Sequence, residues 1–353
     1  MQCPRLEHFV RLNHTGKIGK CGHMTGAKEF DSFESMQQSS WLTGIKEKMK
    51  NGQWPAECVR CRMTEETSNT SIRLDMIERD RILRAVDKDY LIVGGVLDNI
   101  CNSACQSCHS GLSTKIGSLT SKDYKKINNY DTFFSLPQDR IVEVDVNGGE
   151  PTASLNYKRL LKNLPTSTKI IRINTNGSRM IPEIEELLKK EMRVIITLSF
   201  DGTGDVHDYA RWPILWKDYK KSVAKYIELR KKYTTLRLNF WTTVSCLNVG
   251  DLGNIIEYAK TIGIDHAYGF CIQPTQLDIR YVNRLTTVAK EKLLLTNNKL
   301  LFAIASKCGS LNIDNSIELK NFINAQDTLR NIHFKDYLNF DLNLSKNNLA
   351  NTL

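Results

Sequence analysis

From about residue 90 onward, short apolar runs rich in β-branched residues alternate with longer stretches whose apolar positions recur every three to four residues. The runs at 90–97, 140–146, 169–174, 193–200, 236–244 and 267–272 predict six strands. The stretches at 123–134, 155–163, 182–191, 216–232 and 251–262 predict helices between them. Strands separated by single helices of this length pair in parallel through right-handed crossovers. The pattern therefore predicts an α/β fold, a partial (β/α)6 TIM-like barrel. An open doubly wound sheet is the rival that periodicity alone does not exclude.

The first 86 residues follow a different pattern. Residues 6–13 and 17–21 flank His14-Thr15-Gly16 and predict a short hairpin. Trp41, Leu42, Ile45 and Met49 mark one helix face, and Asn51-Gly52 ends that helix. Cys58-Val59-Arg60-Cys61 follows after Pro55, and a charged helix over 71–86 leads into the first strand. Beyond Pro274 the chain turns helical, with Leu293, Leu294, Leu300, Leu301 and Ile304 on apolar faces, and its Asn-rich end from Asn339 is expected to fray. The expected organisation is a small cysteine-rich metal-binding domain at 1–86, the barrel at 87–275 and a C-terminal helical region at 276–353.

Composition narrows the class. The apolar run at 300–305 is far shorter than the ~20 residues a membrane span requires, and the N-terminus has no basic segment followed by an apolar one. A cytoplasmic protein without membrane contact is the expectation. The net charge of +10 comes without any run of five or six basic residues, which reads as a solvated lysine-rich surface and argues against nucleic acid as partner. The chain has 10 cysteines, and clustered cysteines in a reducing compartment bind metal or carry redox chemistry more often than they form disulfides. Cys246, Cys271 and Cys308 stand alone in apolar segments and read as small core residues.

Two cysteine groups carry candidate chemistry. Cys101-Asn102-Ser103-Ala104-Cys105-Gln106-Ser107-Cys108 follows the first long strand, and three thiolates at this spacing can converge on one iron–sulfur cluster. Three ligands leave one iron of a four-iron cluster open to a substrate or cofactor. A zinc site completed by His109 is the alternative, and the adjacency of Cys108 and His109 makes it awkward. Cys3, Cys21, Cys58 and Cys61 form a second set of four thiolates, suited to zinc or to an iron–sulfur cluster. Glu143 and Asp145 alternate with valines and share one side of a strand, either facing a substrate or forming a satisfied polar pair.

The three-cysteine loop resembles the signature of the radical S-adenosylmethionine superfamily. Further motifs follow in order: Gly148-Gly149-Glu150-Pro151, Asn174-Thr175-Asn176-Gly177 and Ser199-Phe200-Asp201-Gly202, each at the predicted end of a strand. The resemblance implies a [4Fe-4S] cluster on Cys101, Cys105 and Cys108 that binds S-adenosylmethionine and, with one electron, releases a 5′-deoxyadenosyl radical that takes hydrogen from a substrate. It implies that Gly148, Gly149 and Glu150 receive the methionyl ammonium. Ser199 would meet the methionyl or ribose portion, and Arg211 would pair with the methionyl carboxylate. The position before the last cluster cysteine is commonly aromatic in this family and is Ser107 here, so the adenine contact is not assigned.

The region of Cys3, Cys21, Cys58 and Cys61 resembles the twitch-type or SPASM-type auxiliary domains of such enzymes, placed here before the barrel instead of after it. That likeness implies a second [4Fe-4S] cluster, with zinc as the alternative. It also implies a one-electron reductant such as flavodoxin or ferredoxin, and a peptide or protein substrate. Two other readings remain, a small-molecule or nucleotide-modifying enzyme of the same superfamily and a non-catalytic iron–sulfur or zinc binding module. No general acid or base is assigned.

Overall fold

Parallel strands covered on both faces need continuous apolar runs, and Leu91–Asp98 is one of these, almost wholly buried along its length. The computed structural model describes residues 1–120 and 124–338. Its strands are β1 (Phe9–Leu12), β2 (Ile18–Gly19), β3 (Leu91–Asp98), β4 (Ile141–Gly148), β5 (Ile170–Thr175), β6 (Arg193–Ser199), β7 (Leu236–Val244) and β8 (Asp265–Phe270). They form an eight-stranded, mostly parallel sheet in the order β2-β1-β3-β4-β5-β6-β7-β8. All six expected strands are present, as β3 to β8. From β1 to β8 the order follows the chain without reversal, as in a singly wound partial barrel. A doubly wound sheet would reverse at a switch point.

The sheet has two strands more than periodicity indicates. The expected hairpin forms, with Arg11 opposite Gly19 and Leu12 opposite Ile18. In addition, β1 pairs in parallel with β3, from Phe9 beside Ile92 to Leu12 beside Gly95. A four-residue strand carries too little alternation to announce such a partner.

By internal contacts the chain divides into two compact units. The first comprises Met1–Ile100, Lys125–Ile173 and Ile181–Ile195. Its core packs Met76 and Leu83 of the helix Ile72–Arg84 against Phe9, Tyr90, Ile92 and Val142. The second comprises Cys101–Tyr124, Asn174–Met180 and Ile196–Leu353. There Phe200 stacks on Trp216 and Tyr219 and meets Phe240, which fixes the end of β6 against the helix Trp216–Lys232 and β7. A separate core of Tyr209, Cys246, Cys271, Leu319, Ile323 and Phe334 seats the C-terminal helix Ser316–Arg330. Cys246, Cys271 and Cys308 are all buried, as their apolar settings imply.

Some local expectations change. Of the helix expected over 123–134, Asp123 lies outside the described residues and only Tyr130–Phe134 is helical. The segment before it is held extended by Asn99, whose side chain donates to the Lys125 carbonyl and accepts from the Ile127 N–H. Local side-chain bonds of this kind compete with helix formation. Leu293, Leu301 and Ile304 are buried, whereas Leu294 and Leu300 lie at the surface. The expected fraying from Asn339 falls outside the described residues.

Gly95 sits in β3 at φ +98°, and a Cβ there would overlap the backbone of Leu12 in β1. Gly95→Ala is therefore expected to cost about 2–4 kcal/mol from left-handed strain and overpacking, read as a lower denaturation midpoint at unchanged m-value. An unchanged midpoint would show that β1 does not depend on this approach.

Candidate functional site

The Cys101–Cys108 loop has no regular structure, so its backbone groups need partners from elsewhere in the second unit. The Cys101 N–H donates to Thr114 Oγ1 at 3.1 Å, and Ser113 Oγ donates to the Ser103 carbonyl at 2.6 Å. The Ala104 and Gln106 N–H groups donate to the carbonyls of Trp212 and Ala210, on either side of Arg211. Asn176, from the Asn-Thr-Asn-Gly motif, donates to Ser103 Oγ at 2.6 Å and to Asn102 Oδ1 at 2.8 Å. This motif therefore braces the cysteine loop, a role its turn-forming composition does not reveal.

The thiols of this loop lie close enough to act on one another electrostatically. Burial first, then the neighbouring Cys105 and Cys101, push the Cys108 thiol up to about 12. Burial also raises Cys105, while Arg211 opposes the rise. Mutually destabilising buried thiolates are a donor set that suits iron, whose positive charge reverses the penalty. His109 turns its Nδ1 toward the Gly111 N–H, at 3.2 Å, within its own turn.

Arg211 is buried at the end of the helix Gly204–Ala210, and its Nη1 lies 2.9 Å from Asp201 Oδ2. Asp201 is held in turn by the Thr243 N–H on its Oδ1 and by Asn248 on its carbonyl. Arg211 Nε and both amide atoms of Gln106 are buried without a hydrogen-bond partner among the described residues. Orphaned polar atoms beside the thiol loop fit a polar ligand there. Ser199 ends β6 half-buried.

Gly148, Gly149 and Glu150 belong to the first unit, at the end of β4. The Gly149 N–H donates to the Asp98 carbonyl at 2.9 Å and the Glu150 N–H to the Ile100 carbonyl at 2.7 Å. A Cβ on either glycine would overlap those carbonyls, which explains the paired glycines. Both N–H groups are thus spent. An ammonium requires acceptors, and the carbonyls of this turn are the groups able to serve. Asp98 also accepts from Ile100 N–H, Ser154 Oγ and Asn156, so it ties the residues leading into Cys101 to the turn after Glu150. Glu150 itself is buried and accepts from Thr152.

Cys3, Cys21, Cys58 and Cys61 line one cavity of about 360 Å³, counted with its mouth, together with Arg5, His23, Trp54 and Arg73. Burial, then Cys3, Cys61 and Cys21, push Cys58 up to about 12, and burial, then Cys21, push Cys3 up to about 11. Cys61 lies in the helix Val59–Ser68, which is pinned to the helix Ile72–Arg84 by the ion pair of Glu65 with Arg73. Among the described residues no three His, Cys, Asp or Glu converge tightly enough to ligate a single metal ion. A tetrahedral zinc site needs thiolates within ~2.3 Å of one ion, whereas a four-iron cluster spreads them over separate irons.

Glu143 is buried and ion-paired to both Arg79 and Arg172 through Oε1, while its Oε2 is buried without a hydrogen-bond partner among the described residues, so the pair is only half satisfied. Burial first, then Glu143, push Asp145 up to about 6.

No family profile matches the chain. It is 29% identical over 113 residues to "Mycofactocin maturase MftC" of Mycobacterium tuberculosis (strain CDC 1551 / Oshkosh), covering 31% of this chain and 28% of that protein. It is 25% identical over 178 residues to "AdoMet-dependent heme synthase" of Methanosarcina barkeri (strain Fusaro / DSM 804), covering 50% and 48%. The chain thus spans less than half the length of these curated relatives. Among solved structures it is similar to Streptococcus suis SuiB bound to precursor peptide SuiA, with TM-score 0.42, 13% identity and coverage of 82% and 69%. It is also similar to native anSMEcpe with bound AdoMet and Kp18Cys peptide, with TM-score 0.41, 18% identity and coverage of 58% and 59%.

Two outcomes are expected. Gly149→Ala should break the bond from the Glu150 N–H to Ile100 and lower the denaturation midpoint; an unchanged midpoint would show that the turn does not depend on this close approach. Asp145 takes up its proton more readily folded than unfolded, so its ionisation costs stability as pH rises through about 6. Asp145→Asn should stabilise the protein by about 1–2 kcal/mol above pH 6 and add nothing near pH 4, measured by denaturant midpoints. An equal gain at both pH values would contradict the assignment.

Proposed function

We propose, for a chain that belongs to the radical S-adenosylmethionine superfamily, that it cleaves S-adenosylmethionine reductively at a four-iron cluster on Cys101, Cys105 and Cys108 and modifies a peptide or protein. The observation that carries the reading is the order of the motifs. The cysteine loop, Gly148-Gly149-Glu150, Asn174–Gly177 and Ser199–Gly202 follow the ends of four consecutive strands, β3 to β6.

When bound, the cluster and S-adenosylmethionine supply a one-electron cleavage that yields a 5′-deoxyadenosyl radical. This chain's own residues bind and orient. Cys101, Cys105 and Cys108 supply three thiolates and leave the fourth iron for the methionyl amine and carboxylate. The carbonyls of the Gly148-Gly149 turn, with Glu150, accept from the methionyl ammonium. Arg211, held in place by Asp201, offers its unpartnered Nε edge to the carboxylate. Ser199 donates to the methionyl or ribose portion.

Residues 1–86 form the auxiliary cysteine region of this reading, with Cys3, Cys21, Cys58 and Cys61 holding a second four-iron cluster. Four protein ligands leave no open iron and suit electron transfer or a structural role. A peptide substrate is supported by the likeness of this region to auxiliary cluster domains and by a relative named as a maturase. A low-potential reductant such as flavodoxin or ferredoxin supplies the electron. No helix of the described residues is long and apolar enough to cross a membrane.

The test is anaerobic reconstitution followed by assay of 5′-deoxyadenosine under strong reductant. Replacing Cys101, Cys105 and Cys108 together with Ala should abolish its formation, and undiminished cleavage would overturn the proposal. The same variant should still hold about four irons at the N-terminal site, counted chemically with sulfide. Stoichiometric zinc and no iron would instead assign that site a structural zinc ion.

A further inference from the structure

The C-terminal helix Ser316–Arg330 ends on an arginine that reaches the cysteine loop from more than two hundred residues away. Arg330 is 5% exposed. Its Nε donates to the Ala104 carbonyl at 2.8 Å and its Nη2 to the Cys105 carbonyl at 3.4 Å. Its Nη1 donates to the carbonyl and the side-chain oxygen of Gln326, one turn earlier. All these acceptors are neutral. The nearby carboxylate of Asp327 is engaged elsewhere, by Tyr209 OH at 2.8 Å and by the Phe334 N–H at 2.6 Å. Arg211, the other buried guanidinium beside the loop, is neutralised by Asp201. Burying an arginine without a carboxylate is costly, and such a charge persists where something anionic balances it.

We propose that Arg330 is a positioning and charge-balancing residue for the cluster loop: its fork fixes the backbone at Ala104 and Cys105, and its charge, bonded directly by no carboxylate, eases reduction of the cluster bound there. The inference rests on the four-iron reading of Cys101, Cys105 and Cys108. Reduction adds one electron to an already anionic cluster–thiolate assembly, and a buried cation nearby stabilises the product more than the reactant. The oxidised state needs no such help, so the effect appears in the potential. The hydrogen bonds act separately, on how firmly the loop retains iron.

Two substitutions separate the two roles in the full-length, anaerobically reconstituted protein. Arg330→Gln removes the charge and the fork. Gln326→Glu keeps the fork and sets an isosteric carboxylate against Nη1, neutralising the charge in place. The midpoint potential of the loop's cluster is read by EPR-monitored redox titration, and loop retention by the rate of bleaching under an iron chelator. Both variants should titrate at a more negative potential than the parent. Only Arg330→Gln should bleach severalfold faster. A full-iron Gln326→Glu variant with an unshifted midpoint would overturn the charge-balancing role, and this holds even if Arg330→Gln fails to fold. Parental bleaching rates in a folded Arg330→Gln variant would overturn the positioning role. If the parent protein itself holds no cluster at this loop, the functional reading fails first, which is a distinct result.

Discussion

A loop without regular structure satisfies little of its own backbone, and Cys101 to Cys108 finds most of its partners elsewhere in the second unit. Eight residues, Cys101 to Cys108, draw hydrogen bonds from Thr114, Ser113, Asn176, the carbonyls flanking Arg211, and Arg330. Each bond is worth about 1 kcal/mol net, but leaving its partner buried and unmet costs more, so the loop is specified by the sum. The first unit has bonds of its own, which run up to Ile100. There Asp98 and the paired glycines hold the backbone that enters Cys101. The motifs proposed to bind the cofactor thus also act as structural supports, through side chain in one case and backbone in another.

Legibility in the sequence followed the length of the signal. Strands of six to nine residues were readable, β3 as a continuous apolar run buried along its length and β7 as an alternation of buried and more exposed positions. The Cys101–Cys108 spacing and Gly148-Gly149-Glu150 were distinctive in the sequence because few other uses need those residues in that order, while the bonds that hold them, such as Asn176 to Ser103, were not. The pairing of β1 with β3 was not, since four residues carry no period, nor was the extended path after Tyr124, which depends on the distant side chain of Asn99. Arg330 was invisible for a related reason: in the sequence it is one arginine at a helix end, where a cation is expected to offset the helix dipole. Only the fold reveals that it points inward.

The four-cysteine region shows how far donor chemistry goes without a metal. Cys3, Cys21, Cys58 and Cys61 come from a helix start, a loop after β2 and the segment ending in the helix Val59–Ser68, yet they line one cavity, where burial and then neighbouring thiols raise the proton affinity of Cys3 and Cys58. A bound cation would ease the ionisation that burial opposes at Cys3 and Cys58. Arg73 beside them is already neutralised by Glu65, whereas Arg5 lines the same cavity and can offset thiolate charge there.

The central claim is that the open iron of the Cys101–Cys108 cluster binds S-adenosylmethionine directly. Low-temperature EPR of the dithionite-reduced protein, recorded with and without S-adenosylmethionine, tests it most directly. The account predicts a four-iron signal whose g-values shift on addition, and which is lost when the three loop cysteines are replaced while the N-terminal signal remains. A reduced-cluster spectrum indifferent to S-adenosylmethionine would contradict it.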